Sequence, residues 1–197
     1  KTICTSRDLS ARDRALADSY AKAQGALSDE GKKILRTSQR QWLRLSRELC
    51  DSRYLQKAEP AAQVTCLAQQ YELRQQQLDS AIEIHGGIVF RRDDHFRVFS
   101  PGQEKEPEAT PGVSVVSYPQ IETPVMPAMR RWNQTVAAKF EKMNADDDPE
   151  TDQEIGYEII SVSSRMISLF ISHYVYPHGA AHGNTGRERF HWLLDAG

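Results

Sequence analysis

The sequence predicts an α+β protein: an antiparallel three-helix bundle followed by an α+β domain whose antiparallel sheet is covered by a helix. Three observations lead to this class. Apolar residues recur at helical spacing in the first part of the chain, they alternate at strand spacing after Met166, and the periodicity changes at Gly86-Gly87. We therefore expect two domains, a helical one at residues 1–84 and an α+β one at residues 85–197.

Three amphipathic helices are predicted in the first part. The first begins near Ser10, and the second follows Ser28 or Asp29, either of which can cap it, and runs to about Cys50. The third begins at Pro60, because proline suits a first helical turn. Short connections between the helices favour antiparallel packing.

The second part is predicted to contain short strands and one helix. Two strands at residues 88–90 and 95–99 flank a charged turn at 91–94, and a third strand at 113–118 ends at Pro119. Residues 101–112 are rich in proline and charge, which is typical of a linker. After Pro127 a helix is expected to cover the sheet with an apolar stripe of Met129, Trp132, Val136 and Phe140.

The stretch from Tyr157 to Gly183 is dominated by β-branched and aromatic residues and ends in a glycine-rich turn. From Met166 the residues alternate so that one face is almost wholly apolar, which indicates a half-buried strand. Pro177 and the glycines that follow argue against a helix, so the next residues form a loop. The loop residues are His178, Gly179, Ala180, Ala181 and His182. A final strand is expected around His191 and Trp192.

Composition and motifs exclude several function classes. A net charge of -2 and a pI near 6.3 do not favour a nucleic-acid binder, and no apolar run approaches the roughly 20 residues that span a bilayer. The sequence contains no Walker loop, no dinucleotide fingerprint and no G-x-S-x-G motif. We predict a protein that is not an enzyme and carries no cofactor. Because the chain begins at Lys1 without an initiator Met, we expect a trimmed or mature product.

Three cysteines leave one without a partner inside the chain. Cys50 and Cys66 bracket a segment that joins two helices, and a bridge that closes a loop of about 15 residues stabilises by about 3 kcal/mol. Two reduced thiols are the alternative. A disulfide implies an oxidising compartment, so we expect a periplasmic or extracellular protein. The partner of Cys4 is expected upstream of Lys1.

Two clusters of polar residues are candidate sites. Six acids lie between residues 144 and 154, namely Asp146, Asp147, Asp148, Glu150, Asp152 and Glu154. They lack the ligand pattern of an EF-hand, so they form either a solvated loop or a contact for a cationic partner. His173, His178, His182 and His191 lie within nineteen positions, but sequence spacing alone does not make a zinc site, and no metal is predicted.

A spaced set of residues runs through the three predicted helices: Ile3-Cys4, Leu9, Asp13, Leu16, Tyr20, Leu35-Arg36, Gln39-Arg40, Trp42-Leu43, Cys50, Cys66-Leu67, Tyr71, Arg74 and Leu78. Through these residues, positions 1 to about 82 resemble the secreted bacterial family named for the lysozyme inhibitor LprI. Family members place a further cysteine upstream of the one that matches Cys4. This resemblance implies an exported protein.

The second part of the chain combines the 116–121 segment with Pro119, Trp132-Asn133, the strand at Tyr157, and Tyr176 leading into the loop at residues 179–183. Through these features, residues from about Ser114 onward are similar to the secreted domain of the anti-sigma factor RsiV, which also occurs in the deacetylase PdaC outside its catalytic domain. In that family a further helical stretch follows the position of Gly197. We therefore expect the second domain to continue beyond this chain.

The leading functional hypothesis is a non-enzymatic module of the bacterial envelope that binds or inhibits lysozyme or another wall hydrolase. Asp146 to Asp148 and the loop at residues 178–182 are its candidate binding residues. The alternative is a structural or sensory module that binds peptidoglycan or an envelope protein, with Tyr174, Tyr176 and Trp192 able to stack on sugars. A third hypothesis is a metal-dependent hydrolase that uses the histidines.

Overall fold

The computed structural model describes residues 6–50, 60–99, 110–124, 126–144 and 148–194. The elements are helices α1 (Arg7–Ala26), α2 (Asp29–Leu49), α3 (Pro60–Asp79) and α4 (Pro127–Met143), and strands β1 (Ile82–His85), β2 (Ile88–Phe99), β3 (Gly112–Ile121), β4 (Thr151–Val162), β5 (Met166–Pro177) and β6 (Asn184–Leu193). The predicted α+β class, with three helices before a sheet, is confirmed. No helix in the described ranges is long and apolar enough to span a membrane.

The helices of the first part begin where serine side chains cap them. The Ser28 hydroxyl accepts a hydrogen bond from the Gly31 amide at 3.1 Å, so α2 begins at Asp29 as predicted. The Ser6 hydroxyl accepts one from the Leu9 amide at 3.3 Å, so α1 begins at Arg7, earlier than predicted. The side chain of Ser6, three residues ahead of the buried Leu9, therefore sets the start of α1.

The six strands form one sheet in the order β1-β2-β3-β4-β5-β6. Neighbouring strands are antiparallel except β3 and β4, which pair in parallel over a short register from Ser114 to Val116 on β3. The parallel pair arises because α4 connects the two strands as a crossover. The sheet is thus mostly antiparallel, with one parallel pair that the sequence did not predict.

The prediction of two strands around a charged turn at residues 91–94 is wrong. Residues Ile88–Phe99 form one continuous strand, β2, and its partner β1 was not predicted. The turn lies earlier, at Gly86 and Gly87, which have φ angles of 56° and 78°. Two consecutive positive φ angles are the mark of a tight hairpin turn, and glycine adopts them without a steric penalty.

The third strand also extends beyond its predicted end. It continues through Pro119 to Ile121, with Pro119 opposite Arg92 of β2. Strand β4 pairs with β3 only as far as Val116, so the other side of β3 is not in a ladder at Pro119. A proline, which lacks an N–H, is tolerated in a strand when no ladder hydrogen bond is required of it.

The structure has two hydrophobic cores. In the first core α4 packs Trp132 and Phe140, both fully buried, against β3, β4 and β5, including Ile167 and Leu169 of the predicted half-buried strand. In the second core the three N-terminal helices pack against the sheet through buried residues that include Trp42, Leu45, Tyr71, Leu78 and Phe96, with Val113 and Val115 packed against them. The covering helix and the half-buried strand are as predicted.

The division of the chain at residue 84 stays a proposal. Strand β1, at Ile82–His85, crosses that position and joins the sheet. The helical part and the sheet share the second core, so the two parts bury apolar surface against each other.

Candidate functional site

The two loops that the sequence analysis singled out separately lie side by side at one end of the sheet. The antiparallel register of β4 and β5 pairs Thr151 with Pro177 and Asp152 with Tyr176, so the acidic segment and the histidine loop meet. His178 approaches Asp152, with 3.1 Å between Nε2 and Oδ1, and its amide donates to the Glu150 carbonyl at 2.7 Å. We call Asp148, Glu150, Asp152, Glu154 and His178 the acidic edge.

The start of β3 completes this end of the sheet. The Val113 amide donates to Asp152 Oδ1 at 3.0 Å, so one carboxylate holds both β3 and the histidine loop. Gly112 lies against the acidic segment, and a Cβ atom there would be 2.6 Å from the Asp148 carbonyl oxygen. Three separate segments are therefore fixed to one another, and the acidic edge is a defined surface.

Asp148 is fixed in its ionised form. Its Oδ1 accepts from the Glu150 amide at 3.0 Å and its Oδ2 from the Thr151 hydroxyl at 2.7 Å. These two hydrogen bonds, with a smaller contribution from His178, lower the pKa of the Asp148 carboxyl below its ordinary value. The exposed carboxylate is therefore held in its charged form more strongly than a free aspartate side chain.

The histidine loop has the glycine positions that its turn requires. Gly179 has a φ of 83°, and the Ala180 amide donates to the Pro177 carbonyl at 3.1 Å, which closes a tight turn. At Gly183 a Cβ atom would lie 2.3 Å from a ring carbon of Tyr174. The loop is thus positioned by the backbone and by close packing, while Ala181 and His182 are exposed.

The structure places the predicted site residues as follows. Asp148 and His178 are brought together, and Gly179 to His182 lie on the loop beside them, whereas Asp146 and Asp147 lie outside the described residues. Glu150 belongs to the loop, but Asp152 and Glu154 are in β4, so the predicted solvated loop ends earlier than residue 154. These binding roles stay predictions.

The structure contains a disulfide between Cys50 and Cys66, whose Cα atoms are 5.6 Å apart. It joins the end of α2 to the first turns of α3, and the Gln63 side chain donates to the Cys50 carbonyl at 3.0 Å beside it. Cys4 lies outside the described residues. The bridge staples the helical hairpin at the end where the two helices are connected.

The four histidines near the C-terminus do not converge. His178 contacts Asp152, His191 contacts the Ser168 hydroxyl at 2.9 Å between Nδ1 and Oγ, and His173 lies opposite Gly186 on β6. Within the described part of the chain, no group of three or more His, Cys, Asp or Glu side chains is arranged to hold a metal ion. The side chains that would hold a catalytic zinc are not gathered there.

The aromatic residues considered for sugar stacking differ in exposure. Trp192 packs against Trp132, with ring centroids 6.4 Å apart, and belongs to the periphery of the first core. Tyr174 is 39% exposed and borders an open depression that also includes Glu154 and Arg187. Tyr174 is therefore the more accessible of the two, next to the acidic edge.

A buried ion network between the helices and the sheet was missed by the sequence analysis. Arg74 of α3 is fully buried and donates to Asp94 Oδ2 at 2.8 Å and to Ser38 Oγ at 2.9 Å. Asp94 also accepts from Arg92 at 2.6 Å and from the Ser117 hydroxyl at 2.7 Å. Burial opposes ionisation of Asp94, but the two arginines and the hydroxyl outweigh it and lower its pKa.

A second buried cluster links β2 to the start of α2. Arg91 contacts Asp93 at 2.8 Å and Glu122 at 3.1 Å, and Glu122 accepts a hydrogen bond from the Ser28 amide. Burial raises the pKa of Asp93 to about 6 even though Arg91 favours its charged form. The run Arg91-Arg92-Asp93-Asp94 therefore pairs its charges inside the protein.

The N-terminal part of the chain is similar to a known family. Residues 1–78 match the model of the family described as "Lysozyme inhibitor LprI", which confirms the resemblance predicted for the helices. No curated protein gives a significant match.

Two solved structures of DUF3298 family proteins are similar to part of this chain. One, from Pseudomonas aeruginosa PAO1, shares 14% identity over 53% of this chain and 50% of that chain, with a TM-score of 0.37. The other, from Bacteroides fragilis, shares 14% identity over 57% of this chain and 58% of that chain, with a TM-score of 0.32. The chain therefore spans about half the length of the first of these structures.

Proposed function

We propose that this protein is an exported, non-enzymatic module of the bacterial envelope that binds and inhibits lysozyme or a related wall hydrolase. The observation that carries the proposal is the family match of residues 1–78, which includes Arg74 and both disulfide cysteines. The disulfide also supports export, because such bonds persist in oxidising compartments.

The charge distribution indicates which part of the protein meets a cationic hydrolase. Residues 1–78 carry 14 Lys and Arg against 9 Asp and Glu, whereas residues 79–197 carry 11 against 18. A cationic partner is repelled by the helical part and attracted by the sheet part. Complementary charge of this kind mainly raises the association rate and orients the encounter.

The acidic edge is the surface on the sheet part that fits such a partner. Asp148, Glu150 and Glu154 are exposed, and the hydrogen bonds to Asp148 keep it ionised. The small residues Ala180 and Ala181 lie beside these acids on the histidine loop, where they allow close approach. The carboxylates attract the partner and the loop provides the shape that enters a cleft.

The test is a charge reversal that leaves the fold intact. Glu150→Lys with Glu154→Lys changes two exposed carboxylates and keeps Asp148 and Asp152, which accept structural hydrogen bonds. At low ionic strength this variant is expected to bind lysozyme at least about tenfold more weakly, through a slower association rate.

The matched control is Asp18→Lys with Glu30→Lys, which makes the same charge change on exposed positions of the helices. It is expected to bind like the wild type. If the control variant bound lysozyme more weakly than the edge variant, we would conclude that the binding surface lies on the helices. Failure of the wild type to bind any lysozyme type would overturn the proposed function itself.

A further inference from the structure

A cavity of about 340 Å³ lies where α2, the β2–β3 pair and α4 meet. Ligand sites in proteins typically have volumes of about 300–1,000 Å³ and combine apolar walls with a few placed polar groups. This cavity is separate from the acidic edge, and its walls come from both the helical part and the sheet part. Its chemistry indicates what it binds.

The floor of the cavity is aromatic and apolar. The ring of Tyr118 stacks on His95, with centroids 5.3 Å apart and planes 11° apart, and is tilted against Phe140 at 5.3 Å. Val116, also buried, completes the floor. Of these side chains only His95 is partly exposed, and its ring, backed by the buried Tyr118, is the surface on which a flat, partly apolar ligand face can lie, for example the C–H face of a pyranose ring.

The wall of the cavity offers hydrogen bonds to an uncharged ligand. Gln41 accepts from the Phe96 amide at 3.2 Å through Oε1, and Asn144 accepts from the Ser114 hydroxyl at 2.5 Å through Oδ1. Because the oxygens of both amides are engaged, their NH₂ groups are the parts suited to a ligand oxygen. The Glu141 carboxylate, an acceptor, also lines the cavity.

The cavity as a whole does not select a charged ligand. Glu141 and Arg97 contribute one charge of each sign. Burial lowers the pKa of His95, so its imidazole is neutral at neutral pH, where it shares a hydrogen bond of 3.0 Å with the Tyr118 hydroxyl. Amide donors, a carboxylate acceptor and an aromatic floor fit a ligand that carries hydroxyl groups and an amide carbonyl. We propose that this cavity binds an N-acetyl amino sugar.

A smaller cavity extends the site along α2. It has a volume of about 190 Å³ and shares Gln41 and His95 with the first, while Thr37 and Ser38 add hydroxyl groups to its wall. Two neighbouring cavities that share wall residues suit a ligand made of two linked sugar rings. A disaccharide of N-acetyl amino sugars therefore binds more tightly than the monosaccharide.

The experiment is a titration of the protein, labelled with ¹⁵N, by N-acetylglucosamine, followed by NMR. The side-chain amide signals of Gln41 and Asn144 are expected to shift and saturate, with a dissociation constant on the order of 1 mM for a ligand of this size. The N-acetylated disaccharide is expected to bind several-fold more tightly. Glucose, which lacks the acetamido group, and glucosamine, which carries a cation instead, are expected to bind at least tenfold more weakly.

Variants on one helix test the position of the site. Glu141→Ala removes a cavity acceptor and is expected to weaken binding about tenfold, whereas the matched truncation Lys142→Ala, on an exposed neighbour outside the cavity, leaves it unchanged. Absence of saturable shifts in the wild type would overturn the inference. The inference would also be overturned by chemical-shift changes confined to Tyr174 and its neighbours, or by equal binding of glucose and N-acetylglucosamine.

Discussion

Replacing Arg74 by methionine tests whether the helices and the sheet act as one folding unit. Arg74 is fully buried and donates to Asp94, Ser38 and Gln39 at 2.8, 2.9 and 3.0 Å. Methionine keeps much of the apolar stem but removes these hydrogen bonds and a fourth, to Gln77 at 3.1 Å. The loss of stability therefore reports on the polar network and not on a change in side-chain volume.

The size of the effect follows from what remains around Asp94. Removing one partner of a buried ion pair costs about 3–5 kcal/mol when the other charge is left without compensation. Asp94 keeps Arg92 and the Ser117 hydroxyl, so the lower end applies and we expect a loss of about 3 kcal/mol. With a urea m-value of about 2 kcal/mol per M, the midpoint of unfolding falls by about 1.5 M.

The assay is equilibrium unfolding in urea, followed by far-UV circular dichroism and by tryptophan fluorescence. Because the network joins α3 to β2, both probes are expected to report one shared transition in the wild type. Arg44→Met is the control, since the Arg44 side chain is 72% exposed and its i,i+4 ion pair with Glu48 is worth under about 0.5 kcal/mol. Equal losses for Arg74→Met and Arg44→Met would refute the reasoning, and two separate transitions would show independent domains.

Three further predictions concern stability. Replacing Cys50 and Cys66 by serine is expected to lower the free energy of unfolding by about 3 kcal/mol, measured in urea, and the addition of a reductant should then have no further effect on that variant. Gly112→Ala is expected to destabilise by about 1–3 kcal/mol because its Cβ would lie 2.6 to 2.8 Å from three backbone carbonyl oxygens, whereas Gly25→Ala, in a helix with open space around it, should stabilise by about 0.5–1 kcal/mol; reversed signs in thermal melts would contradict the packing. The pKa of Asp93 is raised from 3.8 to about 6 in the folded protein, so the stability that its protonated form contributes is complete below pH 3.8 and lost as the pH rises through 6. Relative to Asp93→Asn, the wild type is therefore expected to lose up to about 3 kcal/mol between about pH 4 and 7, and parallel pH profiles of the two proteins would count against the shift.

The periodic elements were predictable from the sequence because burial repeats along them. Trp132, Val136 and Phe140 are spaced at helical intervals and are all buried, and on β5 the buried Ile167, Leu169 and Ile171 recur at every second position. When one face of a helix or strand is buried, its apolar residues recur at a fixed spacing. This spacing is visible in the sequence even when the packing partner is unknown. The capping residue changed the predicted bounds only at the first helix, which begins a few residues earlier than the apolar spacing indicates.

The charged run in β2 was misread because its partners are distant in sequence. Four consecutive charges ordinarily indicate a solvated turn, yet Arg91 pairs with Glu122, and Asp94 pairs with Arg74 of a helix. A single sequence does not show which charges meet. The sequence is equally uninformative about Pro119. Proline is accommodated inside β3 because β4 stops pairing with β3 before that position, and this depends on the fold.

The candidate site was predictable in its parts but not as a surface. Asp148 and His178 stood out through composition and turn chemistry, but their proximity is set by the register that pairs Thr151 with Pro177. The cavity between α2, β2–β3 and α4 left no signal in the sequence, because Gln41, His95 and Asn144 come from three elements that only the fold brings together.

The central claim is that this protein binds a lysozyme or a related wall hydrolase without acting as an enzyme. The most direct measurement is titration of the protein into a lysozyme activity assay on bacterial cell walls, with direct binding measured in parallel at low and high salt. The account predicts saturable inhibition together with binding that weakens as ionic strength rises. Undiminished lysozyme activity at saturating protein, with no detectable binding to any lysozyme type, would contradict it.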